Sequence, residues 1–184
     1  MSLNTYTTPH RVIIFRHGLA THSTSGYGDQ ILTAELLPEG IPAIERMAQY
    51  LKPIKSRIHF ASPVLRCRQT VEIITREAGK FFRFDSRLSE YLGEVHQEEF
   101  AAFAQRTAAA LKNILAEADQ LAGQSSAPQQ PLTLMICTHG AVVASIKHLL
   151  LTGEFTQNDL LDFTLPGELM DIQNGQCDVK SFNS

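Results

Sequence analysis

Two short segments of the sequence place a histidine and a glycine directly after an apolar run. The first is Arg16-His17-Gly18, which follows Val12–Phe15, and the second is Thr138-His139-Gly140, which follows Leu132–Cys137. An apolar run of this length is typical of a buried strand, and a glycine lets the chain turn sharply where the strand ends. Parallel strands bind their ligands outside their carboxyl ends. We therefore expect the two histidines to lie in one active site.

Two further segments bring charged side chains to the ends of predicted elements. Ser62–Thr70 follows a short apolar run and opens a helical pattern, which places Arg66 in the first turn of a helix. Arg87–Tyr91 follows another short strand and places Glu90 at a similar edge. Together with Arg16 and the two strand-end histidines, these segments supply two arginines, two histidines and one carboxyl group to the predicted site.

The elements that must position these side chains alternate between strands and helices. Short apolar runs predict the strands, and apolar residues at helical spacing predict the helices. Strands are expected at about Val12–Phe15, Ile58–Ala61, Phe82–Phe84 and Leu132–Cys137, and helices from Pro38 to before Pro53, from Ser62 to a C-cap at Gly79, and at about Gln97–Leu121 and Ala141–Leu151.

The end of the chain predicts a β-hairpin. Asn174-Gly175 stands between Leu169–Gln173 and Gln176–Val179, and Asn-Gly between alternating runs is typical of a type I′ turn. The whole order predicts an α/β fold, a three-layer αβα sandwich whose mostly parallel sheet has an antiparallel edge hairpin. We expect one domain over residues 1–184, with a small cap or insert at about 91–130.

The composition is that of an ordinary globular chain. Of 184 residues, 43% are hydrophobic and 19% are charged, and the net charge is −3. This balance argues against a partner such as nucleic acid or an anionic membrane, which needs a basic surface. Cys67, Cys137 and Cys177 are widely spaced, which fits a reducing compartment and no disulfide framework or zinc ribbon. The first apolar run is too short for a signal sequence or membrane span, so we expect a cytoplasmic protein.

The four chemical segments, in this order, resemble the motifs of the histidine phosphatase superfamily, the phosphoglycerate-mutase-like group. They are Arg16-His17-Gly18 (RHG), Ser62–Thr70 (SPxxRxxQT), Leu88–Glu90 (LxE) and Thr138-His139-Gly140 (THG). One three-residue match would be weak evidence, but four ordered matches on the expected elements span most of the chain. The resemblance implies a phosphoglycerate-mutase-like sandwich and phosphoryl transfer without a metal.

The resemblance also implies a role for each of five catalytic candidates. His17 is the nucleophile that becomes a phosphohistidine, and Arg16 and Arg66 bind the phosphoryl oxygens as permanently charged, bidentate donors. His139 supplies a hydrogen bond or a positive charge to the same group. Glu90 protonates the leaving oxygen and later deprotonates water. Positive side chains thereby replace a metal ion, so no cofactor is expected.

Further phosphate contacts are expected from Ser23, His22 and Gly140. Gly140 opens a helix, whose first N–H groups suit an anion. Family members often have an acidic residue directly after the RHG motif and an asparagine a few residues later, where this chain has Leu19 and Ser23. A metal site formed by His22 and the two strand-end histidines is disfavoured, because the nearby arginines repel a cation and no HxH or HExxH spacing is present.

The sequence favours a phosphatase and leaves three alternatives open. A mutase must retain a doubly phosphorylated intermediate, but Tyr91 stands where such mutases have arginine, and the segment that follows offers chiefly Arg106 and Lys112. Compact protein phosphohistidine phosphatases lack a glutamate at the position of Glu90. A non-catalytic phosphate-binding or regulatory module would keep the arginines while no histidine is ever phosphorylated.

The expected reaction is hydrolysis of phosphomonoesters, and the expected partner is a small phosphorylated substrate or a phosphoprotein. Residues 19–31 and 91–103 form the pocket rim by position, and Tyr27, His22 and Tyr91 are candidates for contact with the leaving group. The oligomeric state stays open, because the predicted terminal hairpin could pair with a second subunit or remain an exposed polar edge.

Overall fold

The computed structural model describes residues 6–21, 28–93, 97–124 and 130–183, which contain six strands and four helices. The strands are β1 (Arg11–Arg16), β2 (Ile58–Ala61), β3 (Arg83–Phe84), β4 (Thr133–Thr138), β5 (Glu168–Gln173) and β6 (Gln176–Ser181), and the helices are α1 (Ile41–Leu51), α2 (Leu65–Ala78), α3 (Phe100–Gly123) and α4 (Gly140–Thr152).

The six strands form one sheet in the order β3-β2-β4-β1-β5-β6. Strands β1 to β4 pair in parallel, whereas β5 pairs antiparallel with β1 and β6 antiparallel with β5. Arg16 of β1 lies beside Thr138 of β4, and Ala61 of β2 lies beside Cys137. The strands that precede the two motif histidines, β1 and β4, are neighbours and therefore end side by side at the carboxyl end of the parallel strands.

Alternate residues of β1 bury into two separate hydrophobic layers. Ile13 and Phe15 pack with α1 and α2, whereas Val12 and Ile14 pack with α3 and α4. Neighbouring side chains of a strand point to opposite faces, so a continuous apolar run suits a strand that helices cover on both sides. The predicted three-layer αβα sandwich is confirmed.

The terminal hairpin has the predicted turn. Asn174 and Gly175 have φ angles of 53° and 74°, and a type I′ turn requires positive φ at both central residues. Gln173 and Gln176 pair across this turn as the last residues of the ladder. The predicted C-cap at Gly79 is also present, with φ of 67° in the left-handed region.

Three helices begin later than the sequence pattern predicts. Helix α1 begins at Ile41, not at Pro38, because Pro38–Gly40 form a turn of 3-10 helix. Helix α2 begins at Leu65, not at Ser62, because the proline after Ser62 disfavours helical backbone there and Val64 is still extended. Helix α3 begins at Phe100, not at Gln97, because Gln97 has φ of 58°, outside the right-handed helical region. Strand β3 is one residue shorter than expected. The late start of α2 leaves Ser62 in the turn between strand and helix.

Cys67, Cys137 and Cys177 are free thiols, and the first two are buried. Within the described part of the chain, no helix combines the length and the apolar character that crossing a bilayer requires.

Candidate active site

The two histidines that follow β1 and β4 lie in contact at the carboxyl edge of the sheet. Their ring centroids are 5.3 Å apart, and the backbone N–H of His17 donates to the carbonyl oxygen of Thr138 at 2.9 Å. The side chains of His17 and His139 are completely buried. The structure thus brings together the two histidines that the sequence places at strand ends.

Hydrogen bonds fix the orientation and the protonation of the His17 ring. Nε of Arg66 donates to Nε2 of His17 at 3.0 Å, and Nδ1 lies 2.8 Å from the carbonyl oxygen of Gly18. Because Nε2 accepts a hydrogen bond, the ring proton belongs on Nδ1. Burial, and then the charges of Arg66 and Arg16, lower the pKa of His17 well below its ordinary value. The ring is therefore neutral, with its lone pair on Nε2.

Arg66 is the cationic centre of the cluster. It stands in the first turn of α2 and is fully buried. Besides its contact with His17, it donates from Nη1 to the carbonyl oxygen of Ile31 at 2.5 Å and from Nη2 to Oε2 of Glu90 at 3.2 Å. This guanidinium group thereby connects the end of β1, the loop before α1 and the segment after β3 that carries Glu90.

Glu90 is buried beside both arginines and one histidine. Its Oε2 atom lies 3.2 Å from Nη2 of Arg66 and 3.4 Å from Nδ1 of His139, and its Oε1 atom accepts the backbone N–H of Tyr91 at 3.2 Å. Burial raises the pKa of Glu90, and the opposing effects of Arg66 and Arg16 do not fully cancel this rise. A raised pKa favours the protonated acid that a proton donor needs.

His139 caps α4 and is held by side chains from α2 and the turn before it. Its Nε2 atom lies 2.8 Å from Oγ of Ser62 and 3.5 Å from Sγ of Cys67. Burial, followed by the charge of Arg66, lowers the pKa of His139 well below its ordinary value. Of the two roles expected for His139, these surroundings favour the neutral hydrogen-bonding group.

Arg16 has an unusual environment for an arginine. The residue is 8% exposed, and its Nε atom is buried without a hydrogen-bond partner among the described residues. The guanidinium stacks over the ring of Phe163, 5.1 Å from the ring centroid. A Cβ on Gly140 would approach this same ring to 3.1 Å, so the glycine allows Phe163 to pack at the start of α4.

Gly18 allows β1 to deliver its side chains against two helices. A Cβ at this position would lie 2.9 Å from Cγ1 of Ile44, on α1. The N–H of Gly18 donates to Oγ1 of Thr70 at 3.0 Å, and this hydroxyl donates to the carbonyl oxygen of Arg66 at 2.7 Å. Thr70 therefore ties the turn after the nucleophilic strand to the helix that carries Arg66.

Three residues with predicted contacts, His22, Ser23 and Tyr27, fall outside the described residues. Leu19 packs closely against Gly40, because a Cβ added at Gly40 would approach the Cβ of Leu19 to 2.8 Å. Arg68 points away from the cluster: it donates to the carbonyl oxygen of Pro63 at 2.7 Å and stacks over the ring of Phe84.

The sequence analysis assigned no individual role to Ser62, Thr70, Ile31 or Phe163, although Ile31 ends a segment expected at the pocket rim. Ser62 and Thr70 are the first and last residues of the SPxxRxxQT motif, so the motif itself was a signal for both. The contacts of the Ile31 carbonyl and the Phe163 ring depend on loop conformation, and neither residue belongs to a recognisable pattern.

The ligand atoms of His17, Glu90 and His139 all lie within 4.8 Å of one another, a spacing that would suit a metal ion. The surrounding charges do not suit one. Nε2 of His17 already accepts from Arg66, and the guanidinium groups of Arg16 and Arg66 oppose any further cation. The same charges suit an anion.

Comparison with known proteins shows the family to which this chain belongs. The sequence profile of the histidine phosphatase superfamily (branch 1) matches residues 12–129. No curated protein matches the chain at a significant level. Many solved structures do share its fold.

Three of these structures illustrate the range of similar proteins. A mycobacterial glucosyl-3-phosphoglycerate phosphatase superposes with a TM-score of 0.68 at 17% identity, covering 88% of this chain and 89% of its own. An Escherichia coli protein described as an alpha-ribazole-5'-P phosphatase gives 0.71 at 16%, covering 95% and 97%. The phosphoglycerate mutase of Bacillus anthracis gives 0.67 at 14%, covering 97% and 95%. With its fold, its four ordered motifs and its profile match, the chain belongs to the histidine phosphatase superfamily.

Proposed function

We propose that this protein is a metal-independent phosphatase that hydrolyses phosphomonoesters through a phosphohistidine on His17. The observation that carries the proposal is the neutral His17 ring, whose Nε2 lone pair faces the Arg66 guanidinium at 3.0 Å. A neutral imidazole is a competent nucleophile toward phosphorus. A guanidinium beside it holds the oxygens of the group to be attacked.

Phosphoryl binding is supported by the unmet hydrogen-bonding capacity of the site. A buried guanidinium N–H without a partner is costly, and a phosphoryl oxygen would satisfy Nε of Arg16. Arg66 would exchange its contacts with His17, Ile31 and Glu90 for phosphoryl oxygens, which also frees the Nε2 lone pair of His17. His139 and the first N–H groups of α4, beginning at Gly140, would donate to the same anion.

The proposed reaction has two steps, formation of the phosphohistidine and its hydrolysis. In the first, Nε2 of His17 forms a bond to phosphorus, the bond from phosphorus to the ester oxygen breaks, and Glu90 gives its proton to that oxygen. In the second, the Glu90 carboxylate removes a proton from water, whose oxygen attacks phosphorus as the bond to His17 breaks. The products are the free alcohol and inorganic phosphate, and both His17 and Glu90 return to their starting states.

A phosphatase is favoured over a mutase because the arginines near the site are already paired within the protein. A second phosphate group needs cations with donors to spare, but Arg87 is paired with Asp85 at 2.7 Å. All five N–H donors of Arg106 have acceptors within the protein. Both phosphatases and a mutase occur among proteins of this fold, so the fold itself does not discriminate between the two reactions.

The proposal is tested by hydrolysis of p-nitrophenyl phosphate in the presence of EDTA, with wild type beside His17→Ala. We expect phosphate release that survives EDTA and disappears in the variant. Activity lost with EDTA would contradict the metal-independent mechanism. Transfer of the phosphoryl group to a second substrate, without net phosphate release, would identify a mutase.

A further inference from the structure

The guanidinium of Arg106, on α3, lies against the backbone of the segment that carries Glu90. Its Nη1 atom donates to the carbonyl oxygens of Arg87 and Ser89, and its Nη2 atom donates to the carbonyl oxygen of Glu90, each at 2.8 Å. Three carbonyl groups within four consecutive residues thus accept hydrogen bonds from a single side chain.

Glu98 completes this arrangement. Its Oε1 atom accepts from Nε of Arg106 at 2.6 Å, and its Oε2 atom accepts from Nη2 at 3.0 Å and from the backbone N–H of Leu92 at 2.8 Å. Both side chains are largely buried, at 22% and 14% exposed. Arg106 and Glu98 together therefore hold the chain on both sides of Glu90.

The segment has little regular structure that could position Glu90 otherwise. One turn of 3-10 helix covers Ser86–Leu88, and Glu90 and Tyr91 belong to neither a helix nor a strand. Proton transfer requires heavy atoms about 2.6–3.2 Å apart, and a misplacement of about 1 Å can lower a rate roughly 10²-fold. The position of the Glu90 carboxyl group therefore depends on the contacts that hold the backbone of its segment.

We propose that Arg106, oriented by Glu98, is a positioning residue that sets the Glu90 carboxyl group for proton donation to the leaving oxygen. This proposal rests on the proposed function, in which Glu90 is the general acid. Arg106 contacts this segment through its backbone carbonyl groups. Lysine cannot replace it, because one ammonium group cannot reproduce a planar fork of five donors.

The experiment compares kcat/KM for two aryl phosphates that differ in their need for a proton. Phenyl phosphate releases a basic phenolate and needs the acid, whereas 2,4-dinitrophenyl phosphate releases a stable anion without it. We expect Arg106→Lys and the milder Glu98→Gln to lower kcat/KM for phenyl phosphate by roughly 10- to 100-fold. The loss for 2,4-dinitrophenyl phosphate should be smaller than about threefold, because that reaction gains little from general acid catalysis.

The matched control is Arg83→Lys. Arg83 also pairs with a glutamate of α3, Glu117, and its guanidinium stacks over Phe60 of β2, away from the hydrogen bonds that Arg106 makes. It should leave both rates unchanged. An equal loss on both substrates in Arg106→Lys and Glu98→Gln, or no loss on either, would overturn the positioning role, since a purely structural defect does not discriminate between leaving groups.

Glu90→Gln separates failure of this proposal from failure of the proposed function. If Glu90 is the acid, its variant shows the same preference for the activated substrate, and adding Arg106→Lys to it changes the substrate ratio no further. If Glu90→Gln leaves the ratio unchanged, the acid role itself is wrong. If only Glu90→Gln changes the ratio, the acid role stands and the role of Arg106 is refuted.

Discussion

Nε of Arg66 lies 3.0 Å from Nε2 of His17 and donates a hydrogen bond to it. An imidazolium ring has no lone pair to accept this bond, so the contact is compatible only with a neutral ring that carries its proton on Nδ1. The carbonyl oxygen of Gly18 accepts that proton at 2.8 Å. The nitrogen that must attack phosphorus is therefore unprotonated and faces the cation that would bind the phosphoryl oxygens.

Arg66 and Arg68 give a matched pair of variants on one helix. Arg66→Lys should lower kcat/KM for an aryl phosphate by roughly 10²–10³-fold, the range found when one preorganised donor to a transition state is removed. Arg68→Lys should change it less than about threefold, because Arg68 contacts Pro63 and Phe84 outside the cluster. Steady-state kinetics of both variants checks this. Similar losses in the two would contradict the assignment of Arg66 to the phosphoryl group.

Glu90 and His17 together predict the pH dependence. Burial lowers the pKa of His17 well below 6.5, so the nucleophile stays neutral and its protonation causes no loss of kcat/KM as the pH falls from 7 toward 5. Burial raises the pKa of Glu90 above 4.5, so its protonated fraction, and with it kcat/KM, declines as the pH rises. Glu90→Gln should lower the rate and abolish this alkaline decline. A decline of unchanged shape in the variant would show that another group controls it.

The buried histidines also predict how stability depends on pH. In the unfolded chain His17 and His139 bind protons below about 6.5, whereas in the folded protein they remain neutral. Because the unfolded state binds more protons, the free energy of unfolding falls as the pH falls through this range, by at most about 1.4 kcal/mol per pH unit for each histidine.

His17→Asn isolates this effect, because the opposing contribution of Glu90 is present in both proteins. Lowering the pH from 7 to 5 should therefore reduce the free energy of unfolding of wild type more than that of the variant. Urea unfolding at the two pH values measures it. A difference that stays constant would mean that His17 protonates equally in both states.

Gly18 predicts a steric effect that its backbone angles alone would not reveal. A Cβ there would lie 2.9 Å from Cγ1 of Ile44 and 3.2 Å from Cδ2 of Leu36. Gly18→Ala should therefore destabilise the protein by about 1–3 kcal/mol, the usual cost of overpacking. Gly123→Ala, where no atom of the described residues lies within 4 Å of the added Cβ, is the control and should not destabilise the protein. Thermal unfolding compares them, and a double-mutant cycle with Ile44→Ala, which removes Cγ1, would locate the clash.

The fold was predictable because its signals are periodic. The apolar runs of β1 and β4, the helical spacing on α1 and the Asn174-Gly175 turn each act within a few residues, and the structure agrees with them. Helix starts were less predictable, because the extended backbone of Val64 and the positive φ of Gln97 depend on local turn geometry.

The site was predictable to the extent that its residues lie at ends of elements. His17, Arg66, Glu90 and His139 meet as the motifs indicate. The contacts of Arg106 were not predictable. Its acceptors are backbone carbonyl groups, which every residue carries, so the sequence of the segment around Glu90 gives no sign of them. The sequence indicates only that Arg106 is a cation on the long helix.

The most direct test of the central claim is to trap the covalent intermediate. Wild type is mixed with ³²P-labelled phenyl phosphate, quenched in alkali during turnover, and digested so that the labelled residue can be identified. We predict a phosphoryl group on Nε2 of His17, formed and lost at rates that support turnover, and no label in His17→Asn. Turnover without labelled protein, or a label on any residue other than His17, would contradict the mechanism.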